Sequence, residues 1–360
     1  MNSSSLGDLR ALLKDYTLPY LGKTFSQNGA NLLSIEGDDN YVINVELAFP
    51  LPSDMLINSI NDYLTSKNFA SSVSISTTYK IESFGNTQLK PIDGVKNIIA
   101  ISSGKGGVGK STITQGIAHA LSQLGTKVAI LDADIYGPSQ PTMSGTTDKK
   151  ATSDDGKLIN PINVNGIPMM SIGFLISQEQ AVAWRGPMAT SALLQLVNQT
   201  NWGELDYLIV DMPPGTGDIQ LTLGQKIPVT GALIVTTPQE VALSDVRRGA
   251  EMFKKVSIPI LGVIENMSTH ICENCGHEED IFGSHGGQEL AESLKVKFFG
   301  KLPLSRGIQE SLDRGDGSLF SDNKDLELIF KLMALELTAE IALLGKNAKT
   351  IFPEIRVEKM

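Results

Sequence analysis

The stretch that most limits how this chain of 360 residues can fold is GKGGVGKS, residues 104–111. It satisfies the pattern G-x-x-x-x-G-K-[ST], follows the apolar run NIIAIS (97–102) and leads into STITQGIAHALSQLG, whose spacing predicts a helix. A strand, a glycine-rich turn and a helix in that order make a phosphate-binding loop. Gly104, Gly106, Gly107 and Gly109 leave room for backbone N–H groups to turn inward around phosphate oxygens. Val108 and Thr112 complete the loop and its exit, and the helix that starts at Lys110 and Ser111 adds its positive end. The Lys110 ammonium is expected at the β- and γ-phosphates, and the Ser111 hydroxyl at a Mg2+ ion.

Such a loop needs a sheet behind it. Apolar, β-branched runs recur at KVAILDAD (127–134), YLIVDMP (207–213), GALIVTT (231–237) and ILGVIENM (260–267), and helical stretches alternate with them. Continuous apolar strands separated by helices predict a mostly parallel sheet covered on both faces, the α/β class of P-loop NTPases. Ligands in such folds sit beyond the carboxyl ends of the strands. Asp132 and Asp134 fall just past one of these runs, near where a γ-phosphate would lie, and Asp211 ends another, a position suited to holding a Mg2+ shell. One carboxylate at a strand end can simply cap a turn; three of them behind a phosphate loop point to metal and phosphate chemistry.

Ahead of this region, residues 1–81 read as a small α/β module. LGDLRALLKDY and SDMLINSINDYLTSKN have helical spacing, NLLSIEGDDNYVINVELAF reads as two strands joined by a Gly-Asp-Asp turn, and SSVSISTTYKI alternates as a half-buried strand does. Residues 82–95 are polar with Gly and Pro and read as a linker, so the large domain is expected over 96–360. The net charge of −10 argues against nucleic-acid binding, which needs clustered Lys and Arg. No basic start with an apolar core opens the chain and no run of about 18 apolar residues occurs, so neither export nor a membrane span is expected. The expected compartment is the reducing cytoplasm, where a close cysteine pair is a metal or redox site rather than a structural disulfide.

Lys105, a second lysine just inside KGGVGKST, resembles the deviant Walker A signature of the ParA/MinD/nitrogenase-iron-protein class. That resemblance implies ATP as the nucleotide and a homodimer in which Lys105 reaches the nucleotide of the other copy. It also implies that Asp134 orients the attacking water, Asp132 supports the metal, the backbone of Gly215 senses the γ-phosphate and Asn266 contacts adenine. Within the class, DADIYGPSQP, AWRGPM (183–188), DMPPGTGDIQLTL, GVIENMS and a following C-x-x-C together resemble the Mrp/ApbC family of iron–sulfur cluster carriers, from about residue 96 to 320. Residues 1–81 stand where that family often carries an iron–sulfur-assembly domain.

The C-x-x-C is formed by Cys272 and Cys275, the only two cysteines of the chain, expected in a loop between ILGVIENM and the helix GGQELAESL. Two thiolates at this spacing can converge on one metal centre. A thioredoxin-like site would place the pair at a helix start in a small βαβ domain, which the context lacks. Structural zinc could recruit His270, His277 or His285, and two unremarkable buried cysteines are the plainest alternative. A 4Fe–4S cluster takes four thiolates, and two copies of this chain related by a two-fold axis would supply four.

The expected activity is therefore that of an ATPase that holds a 4Fe–4S cluster between two subunits and passes it to apo iron–sulfur proteins, with scaffold proteins as further partners. The rival is a MinD- or ParA-like spatial switch with a structural zinc at the C-x-x-C. MinD-like function would want a C-terminal basic amphipathic helix, but IFPEIRVEKM is short and mixed in charge. A reductase like the nitrogenase iron protein would carry its cysteine ligands far apart in sequence.

Overall fold

The computed structural model describes residues 6–19, 21–25, 27, 31–37, 40–69, 72–84, 89–176, 186–215, 217–272, 274–315 and 323–351. The Asp38–Asp39 turn positions, linker residues 85–88, residues 183–185 of AWRGPM and tail residues 352–360 lie outside them. The chain divides into two compact units, residues 1–84 with 334–360 and residues 85–333.

The first unit holds α1 (Leu6–Asp15), β1 (Asn31–Glu36), β2 (Asn40–Leu47), α2 (Ser53–Ser66) and β3 (Ser72–Tyr79). Its sheet has the order β1-β2-β3, with β1 antiparallel and β3 parallel to β2. Along β2, buried Tyr41, Ile43, Val45 and Leu47 alternate with more exposed residues, as in a sheet packed on one face. Leu56, Ile60 and Leu64 of α2 are all buried, so its apolar stripe lies against the core.

The second unit runs β4 (Val95–Ser103), α3 (Lys110–Gln123), β5 (Val128–Asp132), α4 (Gln140–Met143), β6 (Ile162–Val164), β7 (Ile167–Ser171), α5 (Gly186–Gln199), β8 (Leu205–Asp211), α6 (Asp218–Lys226), β9 (Gly231–Thr236), α7 (Glu240–Lys255), β10 (Ile260–Glu265), β11 (His270–Ile271), β12 (Glu278–Glu279), α8 (Gly286–Leu294), β13 (Lys297–Lys301) and α9 (Arg306–Arg314). The last helix, α10 (Lys324–Ile351), begins in this unit, and its residues from Ala334 group with the first.

The main sheet has the order β13-β10-β9-β4-β8-β5-β7-β6, parallel throughout except where β6 pairs antiparallel with β7 at one edge. Every residue of β5, β8 and β9 is buried, so the uninterrupted apolar runs read in the sequence are strands covered on both faces. From β4 the chain proceeds to strands on one side of it (β5, β7, β8) and later to strands on the other (β9, β10, β13). The strand order therefore reverses at the carboxyl end of β4, where open α/β sheets bind ligands. The cysteine segment, expected as a loop, instead carries a short antiparallel ribbon in which His270 pairs with Glu279 and Ile271 with Glu278. Its polar, two-residue strands leave no alternation to read in the sequence.

Candidate nucleotide site and cysteine hairpin

The loop at 104–109 leaves β4 and enters α3 at Lys110. Gly109, the residue before the helix, has φ 84°, a left-handed conformation that side-chain-bearing residues rarely adopt. A Cβ there would also sit 2.1 Å from Nδ2 of Asn266, which donates to the Val108 carbonyl at 2.9 Å. The position admits glycine for two independent reasons. Gly106, Gly107 and Lys105 are exposed, and Ser111 and Thr112 are half-buried at the start of α3. The Ser103 hydroxyl donates to the Lys105 carbonyl at 2.9 Å, and the Gly215 N–H donates to the Ser103 carbonyl at 3.0 Å, which ties the segment after β8 to the loop.

Parallel register brings the carboxylates together. Asp132 of β5 stands opposite Asp211 of β8, and Asp211 opposite Ile101 of β4. Both aspartates are fully buried, and Lys110, only 7% exposed, makes an ion pair with Asp211. Burial, reinforced by the neighbouring Asp211 charge, pushes the Asp132 carboxyl up to about 8; N–H donation from Gln140, the Lys110 charge and N–H donation from Asp134 pull the other way. Asp134, half-buried, is raised in the same sense, first by burial and then by Asp211, with Lys110 opposing.

Gln140 is the member of this site that the sequence reading missed. Fully buried, it donates from its side-chain amide to Asp211 Oδ2 at 2.8 Å and to the Ser111 carbonyl at 3.1 Å, and from its backbone to Asp132 Oδ2 at 3.1 Å. Its Oε1 is buried without a partner among the described residues. The neighbouring Ser139 hydroxyl donates to Ser111 Oγ at 2.9 Å, and the Ser171 hydroxyl to Asp132 Oδ2 at 3.3 Å. Gln140 lies within DADIYGPSQP, but nothing local marks it; its role comes from the folding of α4 back over two strand ends.

The donor set fits a nucleotide and Mg2+. Lys110, loop N–H groups and the start of α3 suit phosphate oxygens, while Ser111, two carboxylates and an unpartnered amide oxygen suit a hard cation with oxygen ligands. Lys105, Lys110, Asp132, Asp134, Asp211, Gly215 and Asn266 all belong to the strand ends and loops around this point.

Both cysteines lie between β11 and β12, Cys272 half-buried and Cys275 exposed. The Cys272 N–H donates to the His277 carbonyl at 2.9 Å and the Gly276 N–H to the Cys272 carbonyl at 2.8 Å, so the turn holding the pair is tied by its own backbone. His277 is exposed. Among the described residues, no three His, Cys, Asp or Glu side chains group so that they could hold a metal ion.

Residues 94–338 match the ParA family described as "NUBPL iron-transfer P-loop NTPase". The chain is 45% identical over 327 residues to the "Iron-sulfur cluster carrier protein" of Haemophilus influenzae, covering 89% of this chain and 88% of that one. It is 52% identical over 251 residues to the protein of the same name from Escherichia coli K12, 69% of this chain and 68% of the other. It is 46% identical over 244 residues to the mouse "Iron-sulfur cluster transfer protein NUBPL", covering 67% and 76%. A solved structure of a nucleotide-binding protein from Archaeoglobus fulgidus in complex with ADP is similar with a TM-score of 0.56 at 36% identity, over 64% of this chain and 93% of that one. With a phosphate loop at a strand-order reversal and a family match over more than half its length, this chain belongs to the ParA-type P-loop NTPases of the NUBPL iron-transfer family.

Proposed function

We propose that this protein is an ATP-hydrolysing carrier of a 4Fe–4S cluster, held as cargo between two copies of the chain by Cys272 and Cys275 of each. The observation that carries this reading is the hairpin itself. It presents the chain's only two cysteines, half-buried and exposed, in a group that gathers no third metal-binding side chain among the described residues. Two thiolates are half of the four that such a cluster takes. The names of the relatives agree with it.

In this reading the loop N–H groups and Lys110 neutralise the β- and γ-phosphates of ATP, and Asn266 packs at the adenine. Ser111 and Asp211 would hold Mg2+, supported by Asp132, and that ion supplies positive charge against the phosphates. Asp134 holds and orients the water that attacks the γ-phosphorus; the bond to the β,γ-bridging oxygen breaks and ADP leaves. A carboxyl whose proton affinity is raised by burial is a stronger proton acceptor for that water than an ordinary aspartate. Gly215, tied to the Ser103 carbonyl, follows the γ-phosphate, and Lys105, exposed on the loop, reaches the nucleotide of the second copy. The homodimer therefore joins both halves of the chemistry. Apo iron–sulfur proteins receive the cargo, the 1–81 module serves as an assembly-type domain, and the setting is a reducing cytoplasm. No described helix is long and apolar enough to cross a membrane.

Anaerobic reconstitution with iron and sulfide tests the reading. About four irons per dimer with a visible chromophore, lost in Cys275→Ala, is the expected result. Stoichiometric zinc without a chromophore would overturn it in favour of a nucleotide switch with a structural metal.

A further inference from the structure

We propose that Glu265 is the positioning residue of the cysteine loop, a single buried carboxylate that clasps both ends of the segment carrying Cys272 and Cys275. Glu265 ends β10 and is 1% exposed. Its Oε1 accepts the Ser268 hydroxyl at 2.5 Å, on the outgoing limb of the segment. Its Oε2 accepts the Gly287 N–H at 2.5 Å, where the returning limb enters α8. One side chain thus closes the base of the excursion that bears both thiols.

The local sequence is built for this contact. The first N–H groups of any α-helix lack partners within the helix, and His285, the residue before α8, supplies no side-chain cap. A carboxylate fits that position because its charge is stabilised by the positive helix end and by charge-assisted bonds. The approach also requires glycine: a Cβ on Gly287 would lie 2.8 Å from Cβ and 3.0 Å from Oε2 of Glu265. Around the clasp the outgoing limb is laced to the segment after β13, with Ser268 N–H to the Leu302 carbonyl at 2.9 Å and Leu304 N–H to the Thr269 carbonyl at 2.7 Å. The returning limb makes local turns, Ile281 to Glu279 and Gly283 to Asp280, before it reaches Gly287.

What makes the clasp more than a helix cap is its neighbour. Asn266 follows Glu265 directly and holds the Val108 carbonyl of the phosphate loop. A local cap on α8 would leave the returning limb untied to β10; a cap supplied from the end of β10 ties both limbs beside the residue that touches the nucleotide loop. Glu265 therefore fixes where the thiols stand relative to that loop, and cluster retention depends on it. The second part of this inference rests on the cargo reading above, whereas the clasp itself does not.

The test uses the full chain with Glu265→Gln, Glu265→Ala and Ser268→Ala. In metal-free protein, alkylation of half-buried Cys272 by iodoacetamide is expected to quicken several-fold in Glu265→Gln, and hydrogen-exchange protection is expected to fall within 266–287 ahead of the rest of the sheet. After reconstitution with iron and sulfide, iron loss to a chelator is expected to rise roughly tenfold in Glu265→Gln and less in Ser268→Ala, which removes one of the two bonds. A gain in Gln over Ala is expected because one amide oxygen can still accept one donor; should Ala fail to fold, Gln and Ser268→Ala carry the test. Wild-type alkylation and exchange in Glu265→Gln would overturn the clasp. Altered alkylation with wild-type iron loss would overturn its effect on retention, and a wild-type protein that takes up no iron would instead sink the cargo reading.

Discussion

The phosphate site and the cysteine hairpin lie in the same unit and are held in opposite ways. Around Lys110 the polar atoms are buried and multiply tied: Asp211 meets Lys110 and Gln140, and Asp132 meets Gln140, Asp134 and Ser171. Around Cys272 and Cys275 the turn is tied by its own backbone and stands in a ribbon whose strand residues are exposed apart from half-buried His270. The difference follows from what each must bind. A nucleotide is recognised by groups fixed in advance in a dry site, where charge interactions are strong. A cargo that must be released is better served by thiols near the surface, and Cys272 is half-buried and Cys275 exposed. The polar groups of the first site are tied to one another within one chain, whereas the hairpin gathers no third metal-binding side chain among the described residues.

The largest effect should come from Lys110→Ala. ATP hydrolysis is expected to fall by roughly 100-fold or more, measured as phosphate release. Because the same change leaves buried Asp211 without its counter-charge, the unfolding free energy should fall by roughly 3–5 kcal/mol, read by denaturant titration. Unchanged turnover would refute the loop assignment, and an unchanged midpoint would show that the site is less closed than its contacts indicate. Next in size is Gly109→Ala, where strain at positive φ, about 1–3 kcal/mol, adds to the clash with the Asn266 amide. Nucleotide affinity is expected to drop about tenfold, because the loop and Asn266 cannot both keep their places. Wild-type affinity in this variant would break the claim that the loop is fixed in advance.

A smaller effect reports the burial of the carboxylate pair. The Asp132 carboxyl moves from its ordinary 3.8 to about 8 in the fold. Between those two values the folded protein keeps a proton that the unfolded chain gives up, so this group's contribution to stability declines as pH rises through the window. Asp132→Asn removes that titration. It also turns an amide donor toward one of the backbone N–H groups, a cost that does not vary with pH. The thermal midpoint of the variant relative to wild type is therefore expected to climb between pH 5.5 and 8, by no more than about 1.4 kcal/mol of stability per pH unit. A midpoint difference, variant minus wild type, that stays flat or falls as pH rises would contradict it.

The sequence was most legible where a residue pattern dictates backbone. Glycines at fixed spacing, an apolar strand and a following helix placed residues 104–109 on the β4–α3 turn and 110–112 at the start of α3, and the continuous apolar runs became the buried parallel strands β4, β5, β8, β9 and β10. Legibility failed where the partner is chosen by the folded register. Gln140 and Glu265 look like ordinary polar residues until α4 brings Gln140 onto two strand ends and the start of α8 reaches Glu265 at the end of β10. Short strands such as β6 and β13 carry too few residues to show a period, and the β11–β12 ribbon is polar on every described strand side chain but Ile271. The grouping of α10 beyond Ala334 with the N-terminal unit depends on packing that no local pattern records.

The smallest expected effect bears hardest on the contrast between the two sites. His277 is two residues beyond Cys275, and its backbone carbonyl already accepts from Cys272, so sequence proximity alone makes it a third ligand for zinc. Were it one, the hairpin would approach a complete metal site within one chain and the difference from the phosphate site would collapse. Among the described residues, however, His277 does not group with the cysteines in a metal-binding set, and its side chain is exposed. His277→Ala should therefore retain the iron content and chromophore of the reconstituted wild type, because the backbone bond survives the loss of the imidazole. Metal analysis of wild type and variant, prepared side by side and assayed for iron and zinc, decides the matter. Zinc bound by the wild type and lost in the variant would mean that one chain holds its metal alone, whereas iron unchanged in both leaves the missing thiolates to a second copy.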